Sequence, residues 1–274
     1  SPGTITEYTR DLRLFAEAMS PYGGFQEVRP AQVSTFLRLL KEERGLGPRS
    51  VNRKIAALKS FYRWMFAKGY VDQSPMEAFR SLKVPESLPI YLSQAEATRL
   101  LAYTRALCNS PRGRQIHAIV SMLYYTGMRV SELIGLNLQD IRPGEGGRPV
   151  IRVRGKGNKE RLVPLPPGAE EAYRLYLEAR PEALSPAAFI SLRTRERLRR
   201  QDVNHILKRL ARALKLSCRL SPHKLRHTFA SHLIQADVDV TIVADLLGHA
   251  SLNTTRVYVH IRMRDRERAV AALP

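Results

Sequence analysis

The sequence predicts a mainly α protein in two domains, the second carrying one small antiparallel β-sheet. Three observations predict it. Apolar residues recur at helical spacing through most of the chain, one stretch alternates with period two, and a proline-bearing stretch without helical period separates the two halves. At 274 residues the chain has ample length to bury a core in one large domain or two ordinary ones.

From Thr4 to about Leu82 the runs "ITEYTRDLRLFAEAM", "AQVSTFLRLLKEE" and "SVNRKIAALKSFYRWMFAKG" each place apolar residues on one helical face, so residues 1–84 are expected to form a small helical bundle. The stretch "LKVPESLPIYLS" breaks the period with two prolines and sets a linker at 85–92. A fresh helix opens at Ser93, where Glu96 completes a capping box, and the second domain runs from 93 to 274. Within it, "RPVIRVRGKGNKERLVPLPPG" has two β-rich runs joined by Gly155-Lys156-Gly157-Asn158, which reads as a hairpin with a basic tip. Helices are expected again after Pro167: the Arg-rich "RTRERLRRQDVNHILKRLARALKL", then "SPHKLRHTFASHL", then "VTIVADLLGHASLNTTRVYVHI".

Lys plus Arg number 45 against 25 for Asp plus Glu, a formal charge of +20 spread through the whole chain. Such a balance points to a polyanion, and the predominance of Arg favours phosphate, which the guanidinium fork grips bidentately. Charge alone also suits a basic ribosomal or membrane-surface protein. Cys108 and Cys218 lie far apart without CxxC spacing, so neither a disulfide framework nor a zinc ribbon is supported. The lack of a long apolar run or signal-peptide pattern leads to an expectation of a cytoplasmic protein with no membrane partner.

The candidate chemistry begins with "SPHKLRHTFASHL", a helix opened by Ser221 as N-cap and Pro222 at its first position. His223, Arg226 and His227 stand at i, i+3 and i+4 and so project from one side, while Leu225, Phe229 and Leu233 occupy another. His223 and His227 have zinc-protease spacing, but Lys224 stands where that motif needs a Glu, and His227 reads more simply as a packing residue. Arg129 follows Gly127 with Glu132 three residues on, an arrangement equally suited to a structural ion pair. Lys156 sits on the glycine-flanked tip, where a solvated turn lysine is the plain alternative. His249 follows Gly248, a C-cap glycine, and Tyr258, which could be ordinary core, lies nine residues beyond.

Together, two arginines, a lysine, two histidines and a tyrosine can act on a phosphodiester. Guanidiniums and an imidazole neutralise the non-bridging oxygens, the lysine protonates the departing oxygen, and a histidine relieves the tyrosine hydroxyl of its proton. No cofactor or metal is called for.

On these residues the sequence resembles the tyrosine recombinases, the integrase family that includes the Xer-type resolvases. "RSVNRKIAALKSFYRWM" is similar to the N-terminal core-binding (SAM-like) domain, "TGMRVSELIGL" to the first-arginine box, "VRGKGNKERLVPL" to the catalytic hairpin, "HKLRHTFASHL" to the His-x-x-Arg box, and "LLGHASLNTTRVYVH" to the His box and nucleophile. The resemblance implies Arg129, Lys156, His223, Arg226, His249 and Tyr258 as catalytic residues, with Glu132 supporting Arg129. It implies a C-shaped clamp on double-stranded DNA at a specific recombination site, and a 3′-phosphotyrosyl intermediate leading to a Holliday junction. It also implies a homo-tetramer of two dimers across two sites, assembled from a monomer in free solution, with a second recombinase or an accessory activator as further partners, and a place on the nucleoid. Arg49, Arg53, Lys54, Arg154, Lys159 and Arg161 are expected to contact DNA, although a solvated face would account for each singly. The apolar stripe Ala269, Val270 and Leu273 suits docking on a neighbouring protomer or a frayed terminus equally. The chain begins almost at the first core-binding helix, which favours a simple-site Xer-like enzyme, for chromosome or plasmid dimer resolution or simple integration, over one with an arm-site domain. Two rival readings are a type IB topoisomerase and a catalytically silent DNA-binding module.

Overall fold

The computed structural model describes residues 2–84, 91–144, 147–154 and 160–248. The chain divides into two compact units, residues 1–87 and 88–274.

The first unit is built on three helices, α1 (Pro2–Met19), α2 (Pro30–Glu42) and α3 (Pro48–Ala67). Proline opens α2 and α3 at the first turn, where its missing N–H would have had no helical partner. Phe15, Val33, Phe36, Leu40, Val51, Ile55, Leu58 and Tyr62 meet in one core. Phe15 meets the ring of Phe36 edge-on at 5.0 Å, and the buried Tyr62 hydroxyl donates to the Phe25 carbonyl at 3.1 Å. Asn52 of α3 exchanges two hydrogen bonds with the backbone of Leu82, at 2.7 and 2.9 Å, and so ties the segment that follows the helix to the bundle.

The second unit is mainly helical with one three-stranded antiparallel sheet, in agreement with the predicted fold class. Its helices among the described residues are α4 (Gln94–Ala106), α5 (Pro111–Thr126), α6 (Val130–Gly135), α7 (Pro167–Ala179), α8 (Arg200–Ala213), α9 (Pro222–Gln235) and α10 (Val240–Leu247). Helix α5 is buried along most of its length and packs against α4, α7, α8 and α9. The Ser93–Glu96 capping box at α4 is present as anticipated, with Ser93 Oγ accepting from the Glu96 amide at 3.2 Å and Glu96 accepting from the Ser93 amide at 3.0 Å.

Strands β2 (Pro149–Arg154) and β3 (Glu160–Pro164) pair antiparallel with Arg154 opposite Glu160, and β1 (Ile141–Pro143) adds an edge that the alternation pattern did not reveal. With three residues, β1 is too short to display a period. The Arg-rich segment also departs from expectation, since α8 starts at Arg200 rather than near Arg193. Ile190 pairs instead with Arg197, and the Leu198 amide bonds the Phe189 carbonyl at 3.0 Å while its side chain is buried. Long-range pairing and burial of Leu198 override a local helical preference. Among the described residues no helix is long and apolar enough to cross a membrane.

Candidate active site

Helix α9 begins as its sequence dictates: Ser221 Oγ accepts from the Lys224 amide at 3.2 Å, and Pro222 occupies the first turn. Leu225 enters the main core of the second unit, whereas Phe229, Ala230 and Ile234 form a smaller cluster with Val243 and Leu247 of α10. Two apolar contacts thus fix the helix rotation, and the remaining side presents His223 and Arg226 to a small pocket.

That pocket, of about 100 Å³, is lined by Arg129, Ser131, Arg200, His223 and Arg226. Arg129, His223 and Arg226 were anticipated, and they come together from residues almost a hundred positions apart. The surroundings of Arg226 explain how a guanidinium can be 6 % exposed. Nη1 donates to the Gly127 carbonyl at 2.7 Å and Nη2 to the Leu247 carbonyl at 2.7 Å. Both acceptors lie at helix C-termini, α5 and α10, where carbonyls lack helical partners and the macrodipole is negative. Each helix stops on a left-handed glycine, Gly127 at φ 60° and Gly248 at φ 62°.

Glu132 is the buried hub behind the pocket, at 6 % exposure. It accepts from the Arg129 amide and from Arg129 Nη1, both at 2.8 Å, which orients the first arginine as the sequence suggested. It also accepts from Arg161, Nη1 at 3.1 Å and Nη2 at 2.9 Å. Burial opposes ionisation of Glu132, but the hydrogen bonds from Arg161 and Arg129 outweigh it and hold the carboxyl below its ordinary range. Arg161 Nε meanwhile donates to the Leu246 carbonyl at 3.0 Å. Two arginines from different elements therefore grip adjacent carbonyls at the end of α10.

His223 is held below the usual histidine range first by burial and then by Arg200, Arg226 and Arg129. It is the neutral imidazole of an otherwise cationic pocket, competent to take up a proton. His227 is also shifted down, by burial and then by His223, Lys224 and Arg226. Among the described residues no carboxylate lines the pocket, an arrangement suited to an anion with oxygens to share among guanidiniums.

The other anticipated residues fall into three groups. Lys156, Lys159, His249 and Tyr258, with the stripe Ala269, Val270 and Leu273, lie outside the described residues. Arg49 is exposed near the start of α3, and Arg154 is half-exposed and pairs across the hairpin with Glu160 at 3.0 Å. Arg53, Lys54 and Arg161 are committed to carboxylates. Lys54 is directed into the bundle, 6 % exposed, with Nζ 2.6 Å from Asp11, and Arg53 bonds Asp11 at 3.0 Å and also pairs with Glu7. In this structure the charges of Lys54 and Arg161 neutralise the buried carboxylates of Asp11 and Glu132.

Arg200 was not singled out from the sequence. Arg161 was, but for a different role. The signal for Arg161 lay in strand alternation: it shares the inner face of β3 with Val163 and opposes Val153, whereas Leu162 points outward. For Lys54, the signal was its place beside the apolar row Val51, Ile55, Leu58 and Tyr62 on α3.

Comparison with known proteins accounts for both units. The phage integrase family model matches residues 91–265, and the phage integrase N-terminal SAM-like domain matches residues 1–69. The tyrosine recombinase XerC of Oceanobacillus iheyensis is 39% identical over 269 residues, covering 95% of this chain and 86% of that protein. The tyrosine recombinase XerD of Halalkalibacterium halodurans is 35% identical over 280 residues, covering 97% and 90%. The crystal structure of XerA recombinase is 28% identical with a TM-score of 0.59, covering 100% of this chain and 93% of that one. A post-cleavage complex of XerH site-specific recombinase with a palindromic difH substrate shares the fold at a TM-score of 0.82 and 23% identity, covering 98% and 79%. The chain belongs to the phage integrase family, the tyrosine recombinases.

Proposed function

We propose that this tyrosine recombinase breaks and rejoins duplex DNA at a specific site by direct transesterification, in the manner of the Xer enzymes. The observation that carries the reading is the shared pocket of Arg129, His223 and Arg226. A phosphodiester seated there places its non-bridging oxygens on the two guanidiniums. Tyr258 Oη then attacks phosphorus as the bond to the 5′ oxygen breaks. The hydroxyl proton passes to a histidine, for which the neutral His223 is suited, and Lys156 supplies a proton to the departing oxygen. The products are a 3′-phosphotyrosyl bond and a free 5′ hydroxyl, so the energy of the original linkage is retained for rejoining.

His249 lies two residues beyond Leu247, whose carbonyl Arg226 holds, and serves as the second imidazole of the same centre. The DNA partner is supported by relatives: XerH is bound to difH substrate and a lambda integrase dimer to a core site. On this reading each unit contributes to holding the duplex, with Arg49, Arg53, Arg154 and Lys159 as phosphate contacts. Four protomers exchange strands between two sites through a Holliday junction, and the enzyme works on the nucleoid in the cytoplasm.

The test uses nicked duplexes from a random-sequence pool, in which cleavage releases a short strand and traps the covalent complex. Captured duplexes give the site, and peptide mapping gives the linked residue. Linkage at Tyr258 through a 3′ phosphate, absent in Tyr258→Phe, is the expected result. Covalent capture persisting in Tyr258→Phe, or no preference for any sequence, would overturn it.

A further inference from the structure

We propose that Arg200 adds a third guanidinium to the phosphate held by Arg129 and Arg226, making it a further catalytic residue; the inference rests on the pocket's reading as the scissile-phosphate site.

Arg200 lines the same pocket as those two arginines and His223, although it enters from a different helix. It is the first residue of α8, whose N-terminus carries the positive end of the macrodipole, the unfavourable end for a cation. The acid of that first turn, Asp202, accepts from the Arg199 amide at 3.0 Å. Among the described residues the Arg200 side chain makes no hydrogen bond and no ion pair, whereas those of Arg129, Arg152, Arg161 and Arg197 each hold an acceptor. Its field is felt in the pocket, since it is the first of the charges that depress His223. A side chain that is exposed, set at the wrong end of a helix and crowded by like charges is costly unless an anion completes the site.

The ground-state phosphodiester carries one negative charge and the pentacoordinate transition state nearly two. A third cation at the same phosphorus therefore contributes chiefly to the rate. Arg129 and Arg226 are fixed by Glu132 and by backbone carbonyls, and Arg200 is placed to meet the charge that develops during attack.

The experiment measures covalent-complex formation by the full chain on the captured nicked duplex, in two forms. One carries the native scissile phosphate. The other carries a methylphosphonate there, in which a methyl group replaces one charged oxygen. Arg200→Ala should slow cleavage of the native duplex about 100-fold, with Arg200→Lys intermediate, and should lose most of that deficit on the neutral linkage. Because Arg200 is exposed, Arg200→Ala should keep the melting temperature of the parent, which is measured alongside. A deficit equal on both duplexes, or one relieved by a methylphosphonate at the adjacent linkage instead, would overturn the proposal. Arg226→Ala is run alongside: if its deficit also survives on the neutral linkage, the reading of the pocket fails and takes this inference with it. If only that of Arg200 survives, this inference alone fails.

Discussion

Arg161 and Glu132 form a two-pronged ion pair across 29 residues of sequence, with Nη1···Oε1 at 3.1 Å and Nη2···Oε2 at 2.9 Å. The third guanidinium nitrogen reaches the Leu246 carbonyl, and the Arg161 side chain packs so closely over Gly248 that a Cβ there would lie 2.9 Å from Nη1. The pair joins three parts of the centre: the hairpin strand β3, the first arginine through Glu132, and the end of α10.

Arg161→Ala should therefore act as a positioning change. Removing Arg161 leaves a carboxylate that is 3 % exposed at its side chain with Arg129 as its remaining counter-charge, so the loss should fall below the roughly 3–5 kcal/mol of a fully broken buried pair. Arg161→Lys keeps the charge but not the fork and should recover only part of the stability. The discriminating measurement is a double-mutant cycle with Glu132→Gln, read as covalent-complex formation and as denaturant stability. A coupling of about 1 kcal/mol or more is expected in both. Additive effects on cleavage would show that Arg161 stabilises the fold without positioning the centre.

Gly127 is the second point of leverage. At φ +60° it caps α5, and a Cβ built on it would stand 2.3 Å from Phe229 Cδ1 and 2.9 Å from Leu247 Cδ2. Its carbonyl is one of the two that hold Arg226. Gly127→Ala should lose about 1–2 kcal/mol to left-handed strain alone, and more because Phe229 must move. Since α9 carries both Phe229 and Arg226, cleavage should fall further than the melting temperature predicts. A Gly127→Ala protein that cleaves normally would remove the link between the α5 cap and the pocket.

How much of this was legible in the sequence follows from the range of each interaction. Ser93, Ser221 and Gly248 announce helix ends because capping is settled within four residues. His223 and Arg226 share a face for the same local reason. By contrast, Arg161 and Glu132, or Lys54 and Asp11 at 43 residues apart, become partners only once the core has fixed which elements meet. A charged residue then reads as surface until its neighbours in the pattern are weighed. Arg200 was hidden differently, inside a run of arginines whose helical appearance concealed that α8 begins there and not seven residues earlier.

Acid should weaken the second unit through its histidines. His117, His223, His227 and His232 are all depressed below 6.5, with burial the leading cause in each. His232 illustrates the constraint: Nε2 donates to the Leu92 carbonyl at 2.9 Å, so Nδ1 must stay unprotonated to accept from the Tyr124 hydroxyl at 3.0 Å. As pH falls below about 6.5 the unfolded chain takes up these protons before the folded one. Stability is therefore fully present above that value and declines as pH descends toward the lowered folded values. Glu96, held at about 2 by hydrogen bonds from Ser217 and Ser93, contributes its loss only below about 4.5, so its decline sets in at lower pH than that of the histidines. Denaturant melts at pH 7.5 and 5.5 should show the decline, and His117→Gln should reduce it. Stability that is flat or rising between those values would contradict the assignment.

The buried position of Lys54 makes a last prediction about DNA affinity. Each phosphate neutralised by an offered cation contributes about −0.9 to the slope of log affinity against log salt. Lys54 spends its charge on Asp11 inside the bundle, whereas Arg49 is exposed at the start of the same helix. Arg49→Ala should therefore lower the magnitude of the slope by about 1. Lys54→Met should leave the slope unchanged and instead destabilise the first unit, because Asp11 would keep only Arg53 as counter-charge. Binding isotherms at four salt concentrations, alongside melting curves, separate the two residues. A salt slope reduced by Lys54→Met as much as by Arg49→Ala would mean that the ammonium leaves Asp11 for phosphate when the duplex binds.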